Sequence, residues 1–542
     1  MIAGKREIPF ADFGFFEYRY NRPSMSPRYL SFTVFSAGMV TLAVELSASR
    51  LLGNVFGTSN LVWASIIGLI LIYLAAGYFI GGRWADRSPH APTFYKIILW
   101  AGFASGLAPL VSRPVLRAAA NAFDELQVGV LAGSFVSVLI LFILPITLLG
   151  TVSPFAIRLA MSDKEHAGRV SGRIYAISTL GSFIGTFLPV LLFIPLVGTT
   201  WTFLIFSFYL MLVALVGLSA AIGLPRLLPW LLLPAALVFF AALWAGGVFK
   251  ETTGMIYETD SPYNYIQVLE FDDTRFLRLN EGQGVHSVYN PNQLDFSGPW
   301  EQFLAAPFFN APPFAAEDIQ SIAIIGLAAG TSARQATAVL GEIPIDGFEL
   351  DPEIIQIGRE YFGMTMPNLN AIAQDGRWGL ERSEKTYSLI EIDAYRPPYI
   401  PPHLTTIEFF QLCKEHLTED GTLAINVGRA PEDRRLIDAL VATLKRVFQS
   451  VHVMDVPNTF NSLVYATVQE TSFDNLLANY GHLLGREGIH PLLLNSIQRT
   501  LAYQQVTPMN GMVLTDERAP VEWIVNSMVL NFVLYGELEQ LQ

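Results

Sequence analysis

The chain has 542 residues, of which 52% are apolar and 15% are charged, and it contains a single cysteine, Cys413. Soluble globular proteins carry about 25% charged residues. This composition therefore excludes a disordered chain and argues against a purely soluble enzyme. One cysteine excludes a disulfide framework and a cysteine-built metal site. At this length two or more domains are expected.

Charge divides the chain into two unlike halves. Residues 1–250 contain 17 basic residues (Lys and Arg) and 9 acidic residues (Asp and Glu). Residues 251–542 contain 17 basic and 38 acidic residues. A basic and apolar half is typical of a membrane domain next to anionic lipid. The acidic half is typical of a soluble domain, and its sign argues against nucleic acid as a partner.

The first half contains seven apolar segments, each long enough to cross a bilayer, which takes about 20 residues. They are residues 29–52, 61–80, 94–112, 128–149, 174–197, 201–223 and 225–247. This pattern predicts a polar interfacial segment over residues 1–28 and an α-helical multi-pass membrane domain over residues 29–250. Membrane lipid is then the first expected partner.

The basic residues also predict an orientation. The tail and loops on the same membrane face as the N-terminus carry 12 Lys and Arg, and the segments on the opposite face carry 3. The positive-inside rule therefore predicts a cell (inner) membrane protein with a cytoplasmic N-terminus. Seven spans would put the soluble half on the opposite face, and the sequence alone leaves the side of residues 251–542 open.

Two charges, Glu45 and Arg50, interrupt the first span. An intramembrane carboxylate is costly and is usually paired or faces a polar cavity, so Glu45 and Arg50 form a candidate membrane polar site. The alternative is a structural pair between Glu45 and an Arg on a neighbouring helix. The glycine-rich run from Gly77 to Arg87 resembles a cytoplasmic loop motif of the major facilitator superfamily. The chain has room for barely more than one half of that superfamily's helices, so independent transport by the monomer is not expected.

The second half changes to short strands. Residues 263–269 and 275–279 alternate like a hairpin around Asp272 and Asp273, which predicts a small β-hairpin subdomain over residues 251–315. Strands then alternate with helices over residues 316–470, as in an α/β, Rossmann-like, mostly parallel sheet. Residues 471–542 are predicted to form a C-terminal helical extension. Its last helix, from Pro520 to Leu541, is expected to pack on its own domain rather than to dock on the membrane or on a second copy of the chain.

Ligands of such sheets bind at the carboxyl ends of the strands. The candidate residues follow four successive predicted strands: Gly326 and Gly330, then Glu349, then Asp375, then Asp393. Glu349 lies about 20 residues after the glycine turn, a spacing that suits a bond to ribose hydroxyls. The set predicts one crevice for a nucleoside. Alternatively, these acids are helix caps and turn residues.

Several short motifs, taken together, carry a family resemblance. They are Ser261–Ile266, Ile325–Gly330, Gly347–Pro352, Gln374–Gly376, Ile392–Arg396, His403–Thr406 and Thr515–Asp516 in the second half, and Glu45, Arg50, the glycine-rich loop and Tyr175 in the first. With them the chain resembles, over nearly its whole length, the fused membrane-protein/spermidine synthase family. The resemblance implies a Rossmann-like methyltransferase/spermidine synthase domain behind a major-facilitator-like membrane domain.

The resemblance also implies an activity. Spermidine synthases transfer an aminopropyl group from decarboxylated S-adenosylmethionine to an amine, so that nucleoside, or S-adenosylmethionine itself, would be a co-substrate. No permanently bound cofactor and no metal is implied. Glu349 would hold the ribose, Asp375 the adenine amino group and Asn264 would lie near the nucleoside. Asp393 would orient the attacking amine and take its proton, since an ammonium cannot attack.

Departures from the family pattern concern the amine acceptor. Ala329 and Arg396 stand where soluble spermidine synthases carry acids that hold a cationic amine. Tyr395, Arg396 and His403 are the candidate substrate contacts. An acceptor with a carboxylate or phosphate, or a lipid-borne amine, would suit Arg396 better than putrescine.

Three hypotheses therefore stay open at this stage. The first is a membrane-tethered transferase acting on a small amine. The second is a non-catalytic scaffold or complex subunit, paired with a second copy or with other membrane subunits. The third is a polyamine-related transporter.

Overall fold

The computed structural model describes residues 26–56, 60–126, 130–161, 167–244, 252–280, 284–394, 400–431 and 433–535. They form a helical half, a small antiparallel sheet and a larger mixed sheet flanked by helices. The predicted interfacial segment 1–28 lies, apart from its last three residues, outside the described residues.

Long apolar helices packed side by side make up the first half. Their bounds are Pro27–Phe56 (α1), Asn60–Arg87 (α2), Ala91–Leu126 (α3), Val130–Gly150 (α4), Val152–Ala160 (α5), Ala167–Leu188 (α6), Ile194–Ile222 (α7), Leu224–Leu227 (α8) and Leu232–Trp244 (α9). A π-helical stretch, Pro189–Phe193, joins α6 to α7, and a 3₁₀ turn, Leu228–Leu231, joins α8 to α9. The seven predicted apolar segments are almost entirely helical over their described residues.

Six continuous helical stretches in the described part of the chain are long and apolar enough to cross a membrane. One of them, Ala167–Ile222, has 56 residues, which would make a straight helix about 84 Å long. A bilayer core is only about 30 Å thick. Gly198, with φ 78° and ψ 171°, breaks the helical backbone near the middle of this stretch. The stretch therefore consists of two helical segments that meet at Gly198, so the described residues hold seven candidate spans. Insertion into a membrane stays a prediction.

Glycines bring the helices of this half close together. A side chain at Gly181 would collide with the carbonyl of Phe35, and one at Gly185 with the carbonyl of Met39. Since both contacts advance by four residues, α1 and α6 run in the same direction. Gly77 of the glycine-rich run lies against Gly150 of α4 in the same close manner. Small residues at such contacts are what packing between apolar helices requires.

An antiparallel sheet of four strands begins the second half. The strands are Met255–Asp260 (β1), Tyr265–Phe271 (β2), Thr274–Leu279 (β3) and Val285–Tyr289 (β4), and they pair in that order. The predicted hairpin is β2 with β3. Its two turn residues, Asp272 and Asp273, both have positive φ, as a two-residue hairpin turn demands. A wholly buried 3₁₀ segment, Trp300–Phe309, follows this sheet.

The larger sheet has eight strands. They are Ile322–Ile325 (β5), Ile345–Glu349 (β6), Leu369–Ala373 (β7), Tyr387–Ile392 (β8), Leu417–Gly428 (β9), Ser450–Asp455 (β10), Asn461–Thr467 (β11) and Gln504–Gln505 (β12). Their order is β12-β10-β11-β9-β8-β5-β6-β7. Neighbours from β9 to β7 are parallel, and β11, β10 and β12 add to the edge in antiparallel fashion. The mostly parallel Rossmann-like sheet is thus confirmed.

Helices cover both faces of this sheet. Their bounds are Thr331–Leu340 (α10), Pro352–Tyr361 (α11), Gly376–Glu381 (α12), Ile407–Glu415 (α13), Arg435–Leu444 (α14), Phe473–Leu484 (α15), Pro491–Ala502 (α16) and Val521–Tyr535 (α17). One apolar core contains residues of α10, α11, α15 and α16, and another contains residues of α12, α13, α14 and α17. The sheet is therefore doubly wound.

The last helix, α17, packs on the soluble half itself. Val521, Ile524, Val525 and Met528 recur at helical spacing and are buried in the same core as α14. This spacing puts the four side chains on one face of the helix. The described residues of the last helix therefore pack on its own domain.

Candidate active site

The turn between β5 and α10 has a backbone that favours glycine. Gly326 has a φ of +89°, and a Cβ there would lie 2.5 Å from the backbone nitrogen of Ala394. Gly330 has a φ of +82° and precedes the first turn of α10. Between them Ala328 also adopts a positive φ of +48°, which costs a residue with a side chain about 1–2 kcal/mol. The surrounding contacts hold it there.

This turn lies where the strand order reverses. Strand β5 pairs with β6 on one side and with β8 on the other. The backbone N–H of Asp393, just after β8, donates to the carbonyl of Ile325 at 2.8 Å. Ligands of open α/β sheets bind at such a reversal point. Gly326 and Asp393 are therefore neighbours at the place where a ligand is expected.

Glu349 ends β6 with its carboxylate turned toward the glycine turn. One carboxylate oxygen accepts the N–H of Ala328 at 2.9 Å, and the other accepts the N–H of Asp351 at 3.0 Å. Burial raises the pKa of Glu349 to about 7, although both N–H bonds favour the ionised form. The carboxylate of Glu349 therefore holds the backbone of the glycine turn in place. A ribose hydroxyl would share this carboxylate with the N–H of Ala328.

Asp393 is held by two side chains. The amide nitrogen of Asn426, on β9, donates to its Oδ1 at 2.8 Å, and the indole N–H of Trp300 donates to the carboxylate as well. Burial nevertheless raises the pKa of Asp393 to about 7, because it outweighs both bonds. A carboxyl group that titrates near neutral pH is suited to accept a proton at that pH.

Sequence reasoning missed both partners of Asp393. Asn426 gave a usable signal, since it is a polar residue directly after the apolar run from Leu423 to Ile425 and thus near the same edge of the sheet. Trp300 gave none. It comes from the 3₁₀ segment after the small sheet, and only the tertiary fold brings it to Asp393.

Asp375 and His403 meet at the end of β7. Asp375 caps α12 by accepting the N–H of Trp378 at 3.0 Å, and its other oxygen lies 3.0 Å from Nε2 of His403. The bond to His403 lowers the pKa of Asp375. Both side chains stay partly exposed. Asp375, the predicted adenine contact, and His403, a predicted substrate contact, therefore bond each other.

A cavity of about 330 Å³ adjoins this pair. It is lined by Arg377, Pro402, His403, Thr406, Asp516 and Ala519. The guanidinium of Arg377 donates twice to the carboxylate of Asp516, with both distances 2.7 Å, and once to the carbonyl of His403 at 3.1 Å. The motifs that contain His403 and Asp516 therefore form one wall beside Asp375.

The side chain of Asn264 and the backbone of Ala329 are bonded to other residues of the soluble half. The amide of Asn264 donates to the carboxylate of Asp351 at 2.9 Å and accepts from Asn280 at 2.9 Å. Ala329 is fully buried among apolar residues of the small sheet and of α11. Its N–H donates to the hydroxyl of Ser287 at 2.9 Å. A carboxylate at position 329 would enter this apolar cluster, which explains physically why an alanine stands there.

A second buried carboxyl group lies on β8. Glu391 is 0% exposed and accepts a hydrogen bond from the hydroxyl of Ser332 on α10. Burial raises the pKa of Glu391 to about 8, and the charge of Asp393 adds to the rise. Glu391 is therefore mostly neutral at pH 7. Sequence reasoning passed over it, although a lone acid in the strand Tyr387–Ile392 is a visible signal.

The other sequence-predicted site residues are placed differently. Tyr395 and Arg396 lie outside the described residues. Arg50 does not join Glu45 in any ion pair among the described residues but pairs with Asp260, at the end of β1. A membrane polar site that includes Glu45 and Arg50 therefore stays a prediction. In the described part of the chain no three His, Cys, Asp or Glu residues are grouped to hold a metal ion.

Comparisons with known proteins find one domain family that part of the chain resembles. Residues 309–478 match the spermine/spermidine synthase domain family, and this segment includes Glu349, Asp375, Asp393 and His403. Over these residues the soluble half is similar to that domain family. In a search of solved structures, a probable spermidine synthase from Corynebacterium glutamicum is 21% identical, with 44% of this chain and 89% of that chain covered and a TM-score of 0.36.

Two relatives show how far the likeness extends. The chain is 30% identical over 290 residues to a probable polyamine aminopropyl transferase of Bifidobacterium longum, with 51% of this chain and 63% of that protein covered. It is 23% identical over 474 residues to polyamine aminopropyltransferase 2 of Aquifex aeolicus, with 84% of this chain and 92% of that protein covered. The chain thus spans less than two thirds of the first relative. The second match extends beyond the soluble half into the helical half.

Proposed function

We propose that the chain is a membrane-anchored, spermidine synthase-like transferase. Its nucleoside co-substrate would be decarboxylated S-adenosylmethionine or a closely related sulfonium, and its acceptor an amine. The observation that carries the proposal is the carboxyl group of Asp393, held by Asn426 and Trp300 beside the glycine turn, with a pKa near 7. The match of residues 309–478 supports the same conclusion.

The transfer needs only a base and correct positioning. The acceptor nitrogen attacks the aminopropyl carbon that is bonded to the sulfonium, a C–N bond forms and the C–S bond breaks. The electron pair of that bond stays on sulfur, which leaves as the neutral thioether of methylthioadenosine. Asp393 takes the proton of the attacking nitrogen. Glu349 and Asp375 hold the nucleoside, and Arg396 would favour an acceptor with an anionic group.

Binding of the nucleoside is the direct test. Calorimetric titration of the detergent-purified full chain with methylthioadenosine is expected to show one site, and Asp375→Ala is expected to weaken it at least about tenfold because a hydrogen bond to a charged group is lost. Asp474→Ala, an exposed acid in the first turn of α15, is the matched control and should bind like the wild type.

The same titration separates the alternatives. No binding of methylthioadenosine, decarboxylated S-adenosylmethionine or S-adenosylmethionine to the wild type would overturn the transferase and favour a scaffold. Binding without release of methylthioadenosine in the presence of diamines or anionic amines would favour a ligand-binding subunit.

We further propose that the helical half spans a membrane seven times. Large apolar side chains on its surface support this, for example Phe79, Leu191 and Leu196, which are 72%, 71% and 71% exposed. An exposed apolar surface of this kind is unfavourable in water. Seven passes put the connection between α2 and α3 and the soluble half on opposite faces, and the charge distribution favours the cytoplasm for the former.

Cysteine labelling in intact cells tests this topology. In a Cys413→Ala background, Pro89→Cys, between α2 and α3, and Glu342→Cys, between α10 and β6, place single thiols at exposed positions of the two faces. We expect a membrane-impermeant maleimide to label Glu342→Cys in intact cells and Pro89→Cys only after lysis. Labelling of both from the same face would overturn the seven-pass topology.

A further inference from the structure

An arginine of the helical half reaches the soluble half. Nη2 of Arg50, near the end of α1, donates to Oδ1 of Asp260 at 2.7 Å and also to the backbone carbonyl of Ser261. The hydroxyl of Thr199, just after the break at Gly198, donates to the other oxygen of Asp260 at 3.0 Å. The side chains of Arg50 and Asp260 are only 14% and 23% exposed. Two helices of the first half are thus bonded to the end of β1.

Ser261 continues this contact into the soluble half. Its hydroxyl donates to the carboxylate of Asp351, which also accepts the amide of Asn264 at 2.9 Å. Asp351 is 0% exposed and caps α11 by accepting the N–H of Glu353 at 3.1 Å. A buried carboxylate keeps its position only while its donors stay in place. Ser261 is one of them.

Asp351 in turn fixes the predicted ribose contact. Its backbone N–H donates to Glu349 at 3.0 Å, and the other oxygen of Glu349 holds the N–H of Ala328 at 2.9 Å. Ala328 is the non-glycine residue of the glycine turn that has a positive φ. An unbroken series of hydrogen bonds therefore runs from α1 through Ser261 and Asp351 to the turn.

We propose that Arg50 is a positioning residue of the nucleoside site, acting through Ser261 and Asp351 on Glu349. The inference rests on the proposed function, because it concerns the ligand of that site. The inference goes beyond the proposed function because it makes the affinity for an adenosine-type ligand depend on a helix of the apolar half. The site of the soluble half is then complete only when α1 is docked against β1.

The test compares nucleoside affinities in the full chain. Arg50→Gln is expected to weaken methylthioadenosine binding about 5- to 20-fold, the size of a typical coupling between linked sites. Arg50→Lys should recover most of the affinity, because a single nitrogen makes both bonds and an ammonium carries three donors. Arg158→Gln, which breaks the pair with Asp86 inside the helical half, is the matched control and should bind like the wild type.

A double mutant tests the route. Ser261→Ala cuts the same series from the soluble side, and Arg50→Gln in that background should weaken binding by much less than it does alone, because residues that act through one path are not additive. Should Arg50→Gln fail to fold, Ser261→Ala and Asp260→Asn measure the same route.

The outcomes keep the two proposals apart. Absence of binding by the wild type would overturn the proposed function. Binding by the wild type together with equal affinity in Arg50→Gln, an equal loss in Arg158→Gln, or full additivity with Ser261→Ala would overturn the role of Arg50 alone.

Discussion

Asp393→Asn is expected to lower turnover about 10²- to 10⁴-fold, the usual contribution of a positioned base. The amide has nearly the same shape but cannot take the proton of the attacking amine. Affinity for methylthioadenosine should stay within about threefold of the wild type, since the proton transfer plays no part in binding. Turnover is measured by chromatography, as the release of methylthioadenosine from decarboxylated S-adenosylmethionine. The affinity for methylthioadenosine is measured by calorimetry.

The control for this variant lies on the same strand. Glu391→Gln makes the same change in another buried carboxyl group, which accepts a hydrogen bond from Ser332, and it should keep nearly wild-type turnover. Because the pKa of Asp393 is raised to about 7, wild-type kcat/KM should rise with pH up to about that value and then level off. A substantial residual rate in Asp393→Asn, or a flat profile between pH 5 and 8, would contradict the assignment of the base.

Much of the site followed from a local rule. In a parallel sheet every strand ends at the same edge, so residues that follow buried strands can be predicted to meet without knowing the strand order. This holds for Gly326, Glu349 and Asp393. The hairpin turn at Asp272 and Asp273 was equally local, because two acids between alternating segments favour positive φ.

The contacts that the sequence did not predict join distant parts of the chain. Trp300 reaches Asp393 from a 3₁₀ segment whose composition gives no hint of its direction. Arg50 and Asp260 are 210 residues apart, and sequence reasoning assigned Arg50 to the membrane site of Glu45 because both charges interrupt one apolar segment. A charge near the end of such a segment can instead pair with a residue of another domain, as Arg50 does with Asp260.

Ala329 illustrates a different difficulty. The motif places Ala329 where an acid is expected, and the absence of that acid predicts weaker binding of a cationic amine acceptor. The structure shows that the side chain at 329 enters the apolar cluster between the small sheet and α11. The direction of a side chain within a turn depends on φ and ψ, and the unusual positive φ of Ala328 was not visible in the sequence.

The second large effect is expected for Glu349→Gln. The amide keeps the shape of the side chain but loses the charge, and its nitrogen cannot accept the N–H of Ala328 or Asp351. We expect methylthioadenosine binding to weaken about 10- to 100-fold, as for the loss of a charge-assisted hydrogen bond. Calorimetry at pH 8 measures the loss. Glu353→Gln, four residues further along the chain, is the matched control.

The pH dependence makes this prediction specific. Burial raises the pKa of Glu349 to about 7, and the ionised form is the better acceptor of ribose hydroxyls, so wild-type affinity should increase between pH 6 and pH 8. Glu349→Gln has no carboxyl group to ionise and should lose that increase. Since the folded pKa lies above the unfolded value, ionisation also destabilises the fold as pH rises from about 4.5 to 7. The variant should therefore lose less thermal stability than the wild type over that range. An unchanged affinity with an unchanged pH slope would mean that Glu349 only supports the glycine turn, and that the ribose is held by other groups at this edge of the sheet.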